Sequence, residues 1–321
     1  MSLRPLGQTQ LRVTPLGMGC WPITGISSID VNEADSLATI QAAFESGINF
    51  FDTAYCYGFE GESERMIARV LEPHRDEIVL ASKGGLHWVN RQQARCGRPD
   101  TLRRECEESL RRLHTDRIEL YYLHVPDPHV PLAESAGAIG ELIRQGKVLS
   151  AGLSNATAEQ LREFHRVCPL TAYQPHFNML QREIEDSQLP WCVEHGVSVV
   201  VYWPLMKGLL AGHLPRDHVF DPKDGRRKYP MFSGDEWQKN QDFLDVLRTM
   251  SADLGRPVSQ IVLNWTIQRA GITAALCGAK RPHQIQQNAE AMNWSLTADQ
   301  IARINAAIAA RGTIISQAAV S

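Results

Sequence analysis

NEADSLATIQAAFESGINFFDTA, residues 32 to 54, reads first as a helix and then as a strand. Apolar residues recur at helical spacing through its first part, Gly47 supplies the stop, and INFFDTA (48 to 54) is an apolar run of strand length. The same alternation extends in both directions. Eight such runs can be picked out: LGMGC (16 to 20), INFFDTA, IVLASK (78 to 83), IELYYLH (118 to 124), VLSAGLSN (148 to 155), LTAYQPHF (170 to 177), VSVVVYWPL (197 to 205) and ITAALCG (272 to 278). Apolar strands separated by helix-length segments are the pattern of a parallel sheet with crossover helices. Eight parallel strands close most readily into a barrel, so an α/β fold of the (β/α)8 TIM type is expected. No linker or composition break divides the chain, and residues 1–321 are assigned to one domain.

Two segments lie outside the rhythm. The head, LRPLGQTQLRVTP (3 to 15), alternates like a small β-hairpin suited to plugging a barrel floor. Between the seventh and eighth runs lie more than sixty residues, including LPRDHVFDPKDGRRKYPMFSGDEWQKN (214 to 240). A connection of that length is usually functional or disordered. Its DGRRKYP charge run reads either as a solvated tip or as a flap over a ligand.

Composition narrows the function classes. With 43% hydrophobic and 21% charged residues, the chain has material for a core and no disorder signature. A net charge of −3 offers no basic field for a nucleic-acid backbone. The seven cysteines are scattered without a C-x-x-C pair, which suggests neither a disulfide framework nor a zinc ribbon and fits a reducing compartment. The head lacks a signal-peptide apolar stretch, and no run approaches the ~20 apolar residues of a membrane span, so a cytoplasmic location is expected.

In a barrel, chemistry collects where the strands end. A Rossmann fingerprint after the first run fails, because Pro22 stands where GMGCWP would need its third glycine. The second run places Asp52 after apolar and aromatic positions, an expensive site for a carboxylate without a cation. Lys83 closes the third run and supplies one. His124 closes the fourth on the same alternating face as Leu120 and Tyr122, pointing into the barrel mouth. Each alone has an ordinary structural reading, but three titratable groups on consecutive strand ends suggest a shared pocket. There, Lys83 would lower the pKa of a nearby phenol. Tyr55 and Tyr57 both follow the second run, and position alone does not choose between them.

DTAYCYG (52 to 58), Lys83 in ASKGG and His124 in YLHVPDP together resemble the aldo-keto reductase superfamily. GESERMIARVL, AGLSNAT and CGAKRPHQIQQNAEAM follow in the family's order, so the resemblance covers nearly the whole chain. It implies an oxidoreductase in which Tyr57 is the general acid, Asp52 and Lys83 tune it, and His124 orients the carbonyl oxygen. Hydride would pass from NADPH to an aldehyde or ketone, including sugars, with no metal. NADH use, oxidation of a sugar or alcohol by NAD(P)+, and a nucleotide-sensing regulatory subunit stay open as alternatives.

The resemblance further implies the cofactor contacts. Ser154, Asn155 and Gln174 would hold the nicotinamide carboxamide, with Tyr202 stacked on the ring and Cys20, Trp21 and Asp52 bordering it. Ser154 and Asn155 are not needed as caps, because Thr157 and Gln160 form their own capping box, which leaves their polar atoms free for a ligand. Trp203 stands where the family carries a pyrophosphate-binding serine, leaving Pro204, Leu205 and Gly208 to act through their backbones. Gly278, Ala279, Lys280 and Arg281 lead into a helix beginning at Pro282, an anion site for the adenosine 2'-phosphate, with Gln284, Gln287 and Asn288 around the adenine. Trp21, Tyr57, His124 and Trp88, the last in a loop at the mouth, are the substrate-side candidates. Asp127 and His129 read as loop structure.

Overall fold

The computed structural model describes residues 2–27 and 29–314. Eight parallel strands close a barrel, and the strands neighbour one another in chain order. They are β1 (Leu16–Gly19), β2 (Phe50–Asp52), β3 (Val79–Gly84), β4 (Leu120–Leu123), β5 (Ala151–Ser154), β6 (Leu170–Gln174), β7 (Ser198–Tyr202) and β8 (Ile272–Cys277). Each falls within one of the eight apolar runs except at the end of β3, which runs one residue further. The ring closes where Ala275 of β8 pairs with Leu16 of β1.

Alternation along the strands sorts side chains into two cores. Phe50, Val79, Ala81, Leu120, Tyr122, Ala172, Val200, Ala274 and Leu276 fill the barrel lumen. Phe51, Leu80, Tyr121 and Leu123 point outward and pack beneath the surrounding helices. Continuing the inward phase by two residues brings Asp52, Lys83 and the position of His124 to the upper rim.

The head forms the expected hairpin, Arg4–Pro5 paired antiparallel with Arg12–Val13. Its Leu6 and Val13 are fully buried against the lumen cluster, which makes it the plug of the barrel floor. Helix α1 (Glu33–Glu45) is capped by the Asn32 side chain, which accepts from the Asp35 amide, and Gly47 leaves it with φ +82°. Helices α2 (Glu62–Leu71), α3 (Pro99–Arg112), α4 (Leu132–Arg144), α5 (Ala158–Val167) and α6 (Gln188–Glu194) fill the next intervals. The Thr157–Gln160 capping box at α5 is present on both sides.

The long interval after β7 differs from a structureless loop. Helix α7 (Gly234–Leu254) begins inside the stretch read as loop, so residues 234 to 240 are helical, and α8 (Val258–Ile267) follows. The segment before α7 packs on itself: the Phe220 ring lies 5.4 Å from Phe232 and 6.0 Å from Trp237, and the Trp237 indole donates to the Arg216 carbonyl. Helices α9 (Pro282–Ala289) and α10 (Ala298–Arg311) are the last two α-helices among the described residues. Among the described residues no helix is long and apolar enough to cross a membrane.

Candidate active site

The end of β2 and the turn that follows it converge on one ammonium group from β3. Lys83 Nζ donates to Asp52 Oδ1 at 2.5 Å, to the Thr53 carbonyl at 2.7 Å and to the Tyr57 hydroxyl at 3.3 Å, which uses all three of its protons. Both Asp52 and Lys83 are 1% exposed. The other carboxylate oxygen of Asp52 accepts from Gln174 Nε2 at 2.7 Å. The ion pair is thus complete in hydrogen bonds, the condition under which a buried pair is tolerated.

The two tyrosines have different surroundings. The Tyr55 ring lies under the Arg112 guanidinium, 4.5 Å away, and its hydroxyl turns to Glu108, on the helix side of the barrel. Tyr57 faces the lumen, with its ring 4.7 Å from Lys83 Nζ, 5.1 Å from the Trp21 ring and 5.9 Å from the His124 ring. The chain reaches this position through a turn in which the Tyr57 amide donates to the Ala54 carbonyl, while the Tyr57 carbonyl accepts from Ser63 at the start of α2. Between them Gly58 adopts φ +102°, and a Cβ there would sit 2.7 Å from the Glu62 backbone nitrogen. Gly58→Ala is therefore expected to destabilise the fold by ~1–3 kcal/mol through backbone strain. Urea unfolding checks this, and an unchanged midpoint would show that the turn has slack.

Electrostatics correct one expectation. Burial, reinforced by the Asp52 carboxylate, pushes the Tyr57 phenol well above its ordinary value instead of lowering it. Asp52 neutralises Lys83 at 2.5 Å, so little net positive charge reaches the hydroxyl. Burial, followed by the charge of Lys83, holds His124 well below the ordinary histidine value, which leaves its imidazole neutral at physiological pH. Its proton balance gives a stability prediction. Below about pH 6.5 the unfolded chain protonates this ring while the folded one does not, so stability falls with pH by up to ~1.4 kcal/mol per unit. Urea midpoints between pH 7 and pH 5 should fall less steeply in His124→Asn than in the parent; parallel slopes would contradict a neutral buried ring.

On the opposite side of the mouth, the ends of β5, β6 and β7 form a polar network. Ser154 Oγ donates to the Gln174 carbonyl at 2.8 Å, and Asn155 Nδ2 donates to the His124 carbonyl and to Ser154 Oγ, both at 3.0 Å. The Tyr202 hydroxyl donates to Asn155 Oδ1 at 2.7 Å. The polar atoms of Ser154 and Asn155 are therefore not free but held by partners distant in sequence. Asn155 stands in a left-handed conformation, φ +55°.

After β7 the backbone turns tightly through Trp203, Pro204 and Leu205. The Met206 amide donates to the Trp203 carbonyl and the Gly208 amide to the Leu205 carbonyl, both at 2.8 Å. The Lys207 ammonium lies 3.7 Å from the Trp203 ring centre and 4.6 Å from that of Tyr229. Burial, with Lys228 nearby, lowers its pKa to about 8. The tip of the long segment comes to the same place. Arg226 forks onto Asp224 and lies beside Gly208. Burial raises the Asp224 carboxyl, but Arg226, with Lys280 behind it, more than offsets this and leaves it below the usual range. Asp224, Arg226 and Tyr229 of this tip are partly packed, while Gly225, Arg227 and Lys228 stay exposed to solvent.

After β8, Gly278 packs on Pro22, Ala279 is buried, and α9 begins at Pro282 as expected. Lys280 Nζ donates to the Ile29 carbonyl at 3.3 Å, and Arg281 pairs with Asp35 at 3.2 Å. Gln284 turns its side-chain oxygen onto the Lys280 amide at 2.9 Å, acting as a cap. Asn288 is buried beside Cys277, and Gln287 stands next to it on the same helix.

The aldo/keto reductase family model matches residues 15–309 of the chain. The chain belongs to the aldo/keto reductase family. It is 33% identical over 308 residues to the aldo-keto reductase YhdN of Bacillus subtilis, covering 95% of this chain and 93% of that one. It is 31% identical to the NADH-specific methylglyoxal reductase of Escherichia coli, covering 91% and 94% respectively. Among solved structures, the glycerol dehydrogenase AKR11B4 from Gluconobacter oxydans superposes with a TM-score of 0.91 at 31% identity, covering 99% and 98%. Membership makes this protein an oxidoreductase with a nicotinamide cofactor.

The substrate side of this aldo/keto reductase departs from expectation at Trp88. That residue lies not in a loop but on a strand, Leu86–Val89, paired antiparallel with Gln92–Arg95. Asn90 and Arg91 at the tip have φ +50° and +61°, the geometry of a two-residue hairpin turn. The Trp88 indole donates to the Cys56 carbonyl at 2.9 Å, and its ring lies 5.0 Å from Phe59, a rim residue not singled out beforehand. The Trp21 indole is held by Ser27, and Cys20 lies buried beneath it. Asp127 accepts from the amides of Gly97 and His129, so both Asp127 and His129 belong to loop structure.

Proposed function

We propose that this chain reduces the carbonyl group of an aldehyde or ketone, sugars among them, using NADPH in preference to NADH, with Tyr57 as the general acid. The observation that carries this reading is the 3.3 Å contact between Lys83 Nζ and the Tyr57 hydroxyl at the barrel mouth, with Asp52 behind the lysine.

The residues fit a dinucleotide by the chemistry of the donor set. In strand order, β5 and β6 would offer the hydrogen-bonding capacity that Ser154, Asn155 and Gln174 keep beyond the bonds they already make, β7 the flat ring of Tyr202 followed by a tight backbone turn with Lys207, and β8 leads to Lys280. Such a series suits, in turn, a carboxamide, an aromatic ring, a pyrophosphate and a terminal phosphate. Trp203, Pro204, Leu205 and Gly208 would act through backbone groups, and Cys20, Trp21, Gly278, Ala279, Gln284, Gln287 and Asn288 would border the ends. The segment 206–240, whose tip reaches Lys207 and Gly208, would cover the phosphates.

When bound, the reduced nicotinamide supplies the hydride. Tyr57 holds a proton at its hydroxyl and passes it to the carbonyl oxygen, the form that its raised pKa favours near neutral pH. His124 orients that oxygen through an N–H, and together the two donors stabilise developing negative charge there. Trp21 and Trp88 wall the site and exclude water. The likeness to a glycerol dehydrogenase supports a second reading, oxidation of a polyol, in which the same tyrosine would have to give up its proton first.

Fluorescence titration of NADPH and NADH, with Lys280→Met alongside, tests the cofactor reading. NADPH should bind more tightly than NADH, and the variant should weaken NADPH about tenfold, ~1.4 kcal/mol, while leaving NADH unchanged. Tighter NADH binding by the parent would overturn the NADPH preference.

A further inference from the structure

Cys56 occupies the gap between Asp52 and Tyr57, and its Sγ lies 3.7 Å from Nδ1 of His124. Both residues are buried, at 1% and 7% exposure. Among the described residues Nδ1 has no other hydrogen-bond partner, and Nε2 on the far edge of the ring has none. The backbone that carries the sulfur is held from two sides. The indole of Trp88 donates to the Cys56 carbonyl at 2.9 Å, and the Tyr57 turn follows immediately in the chain.

We infer that Cys56 is a positioning residue whose thiol donates its hydrogen bond to Nδ1 of His124, holding the ring in the tautomer that carries its proton on Nε2. This rests on the reading of His124 as the group that orients the carbonyl oxygen. A neutral imidazole has one N–H, and the bond made at one ring nitrogen decides which nitrogen carries it. Two arrangements are open to a thiol beside a neutral ring. In one, S–H donates to Nδ1 and Nε2–H faces the mouth; in the other, Nδ1–H points at sulfur and Nε2 presents a lone pair. Imidazole nitrogen is the better acceptor and sulfur a weak one, which favours the first. Only the first supplies a donor to a carbonyl oxygen. Burial pushes the Cys56 thiol up to about 12, so the S–H proton is present throughout the physiological range.

The test reads the resting protein as well as turnover. In histidine labelled with nitrogen-15, His124 of the parent should show a protonated Nε2 and an Nδ1 shift typical of an acceptor. The parent minus Cys56→Ala vibrational difference spectrum should isolate an S–H stretch at lower frequency than a free thiol. Cys56→Ala should lower kcat/KM roughly tenfold, a part of what losing a whole oxygen-binding donor costs. Its dinucleotide Kd should stay unchanged, and Cys56→Ser should restore most of the loss. A proton on Nδ1 in the parent, a free-thiol frequency, or an unaltered Nδ1 shift in Cys56→Ala would overturn the inference. The labelled parent needs no variant to fold. An inactive parent showing the lowered S–H band would instead remove the reductase reading while the thiol–imidazole bond stood.

Discussion

Tyr57→Phe is expected to lower kcat for reduction of an aromatic aldehyde about 10³-fold, within the range that positioned general acids contribute. The variant keeps the ring, so the edge contacts to Trp21 and His124 survive and the mouth keeps its shape. What it loses is the one hydroxyl on which Lys83 Nζ converges and which is placed to give up a proton. Stability should fall by only ~1 kcal/mol, the net worth of one hydrogen bond, and dinucleotide affinity should hold. Single-turnover kinetics with enzyme in excess separate the chemical step from binding. Equal rates in the two proteins would remove Tyr57 as the acid and with it the proposed reaction.

Lys83→Met should act on the fold as strongly as on catalysis. It strands the Asp52 carboxylate in the barrel with only the Gln174 amide as partner, and breaking a buried pair from one side costs ~3–5 kcal/mol. Asp52 would take up a proton to escape that cost. Its folded pKa, already raised by burial, would then rise further above the unfolded value. A carboxyl that binds its proton more tightly when folded makes stability fall as pH rises between those two values. Urea unfolding should accordingly find Lys83→Met relatively most stable in acid, and Asp52→Asn added to it should recover much of the loss at neutral pH. If the double variant were no more stable than the single one, the cost would lie in packing around residue 83 and not in the stranded charge.

The barrel was legible because each strand is apolar on both faces, which leaves a run that hydropathy alone detects. Strand ends were less so: INFFDTA overshoots β2, since Thr53 and Ala54 are buried as apolar residues are but belong to the turn that carries Tyr57. The hairpin bearing Trp88 escaped because Gln92–Arg95 is polar and half-exposed, with no alternation to betray a strand. Asn90 at its tip was the available signal. Asp52, Lys83 and His124 could be picked out because strand periodicity sets their phase. Position alone could not tell Tyr55 from Tyr57, which only the family resemblance separated, because the difference lies in Arg112 and Glu108, which reach the site only after α3 has packed. The occupied state of Ser154 and Asn155 depends on Tyr202 and His124, and the role of Lys207 on Tyr229; no local pattern announces partners so far along the chain. The expected fall in the Tyr57 pKa failed for a related reason, since it credited Lys83 with a charge that Asp52 cancels.

The hydrogen bond from Gln174 to Asp52 spans the interior of the ring, from β6 to β2. All strand pairings but one join segments adjacent in the chain, and the exception is the seam between β8 and β1. A half-assembled ribbon could pair its strands and even unite Asp52 with Lys83, yet Gln174 would remain on a distant arm. The amide meets the carboxylate only when the cylinder is shut, so completion of the architecture and readiness of the proposed acid–base group are one event.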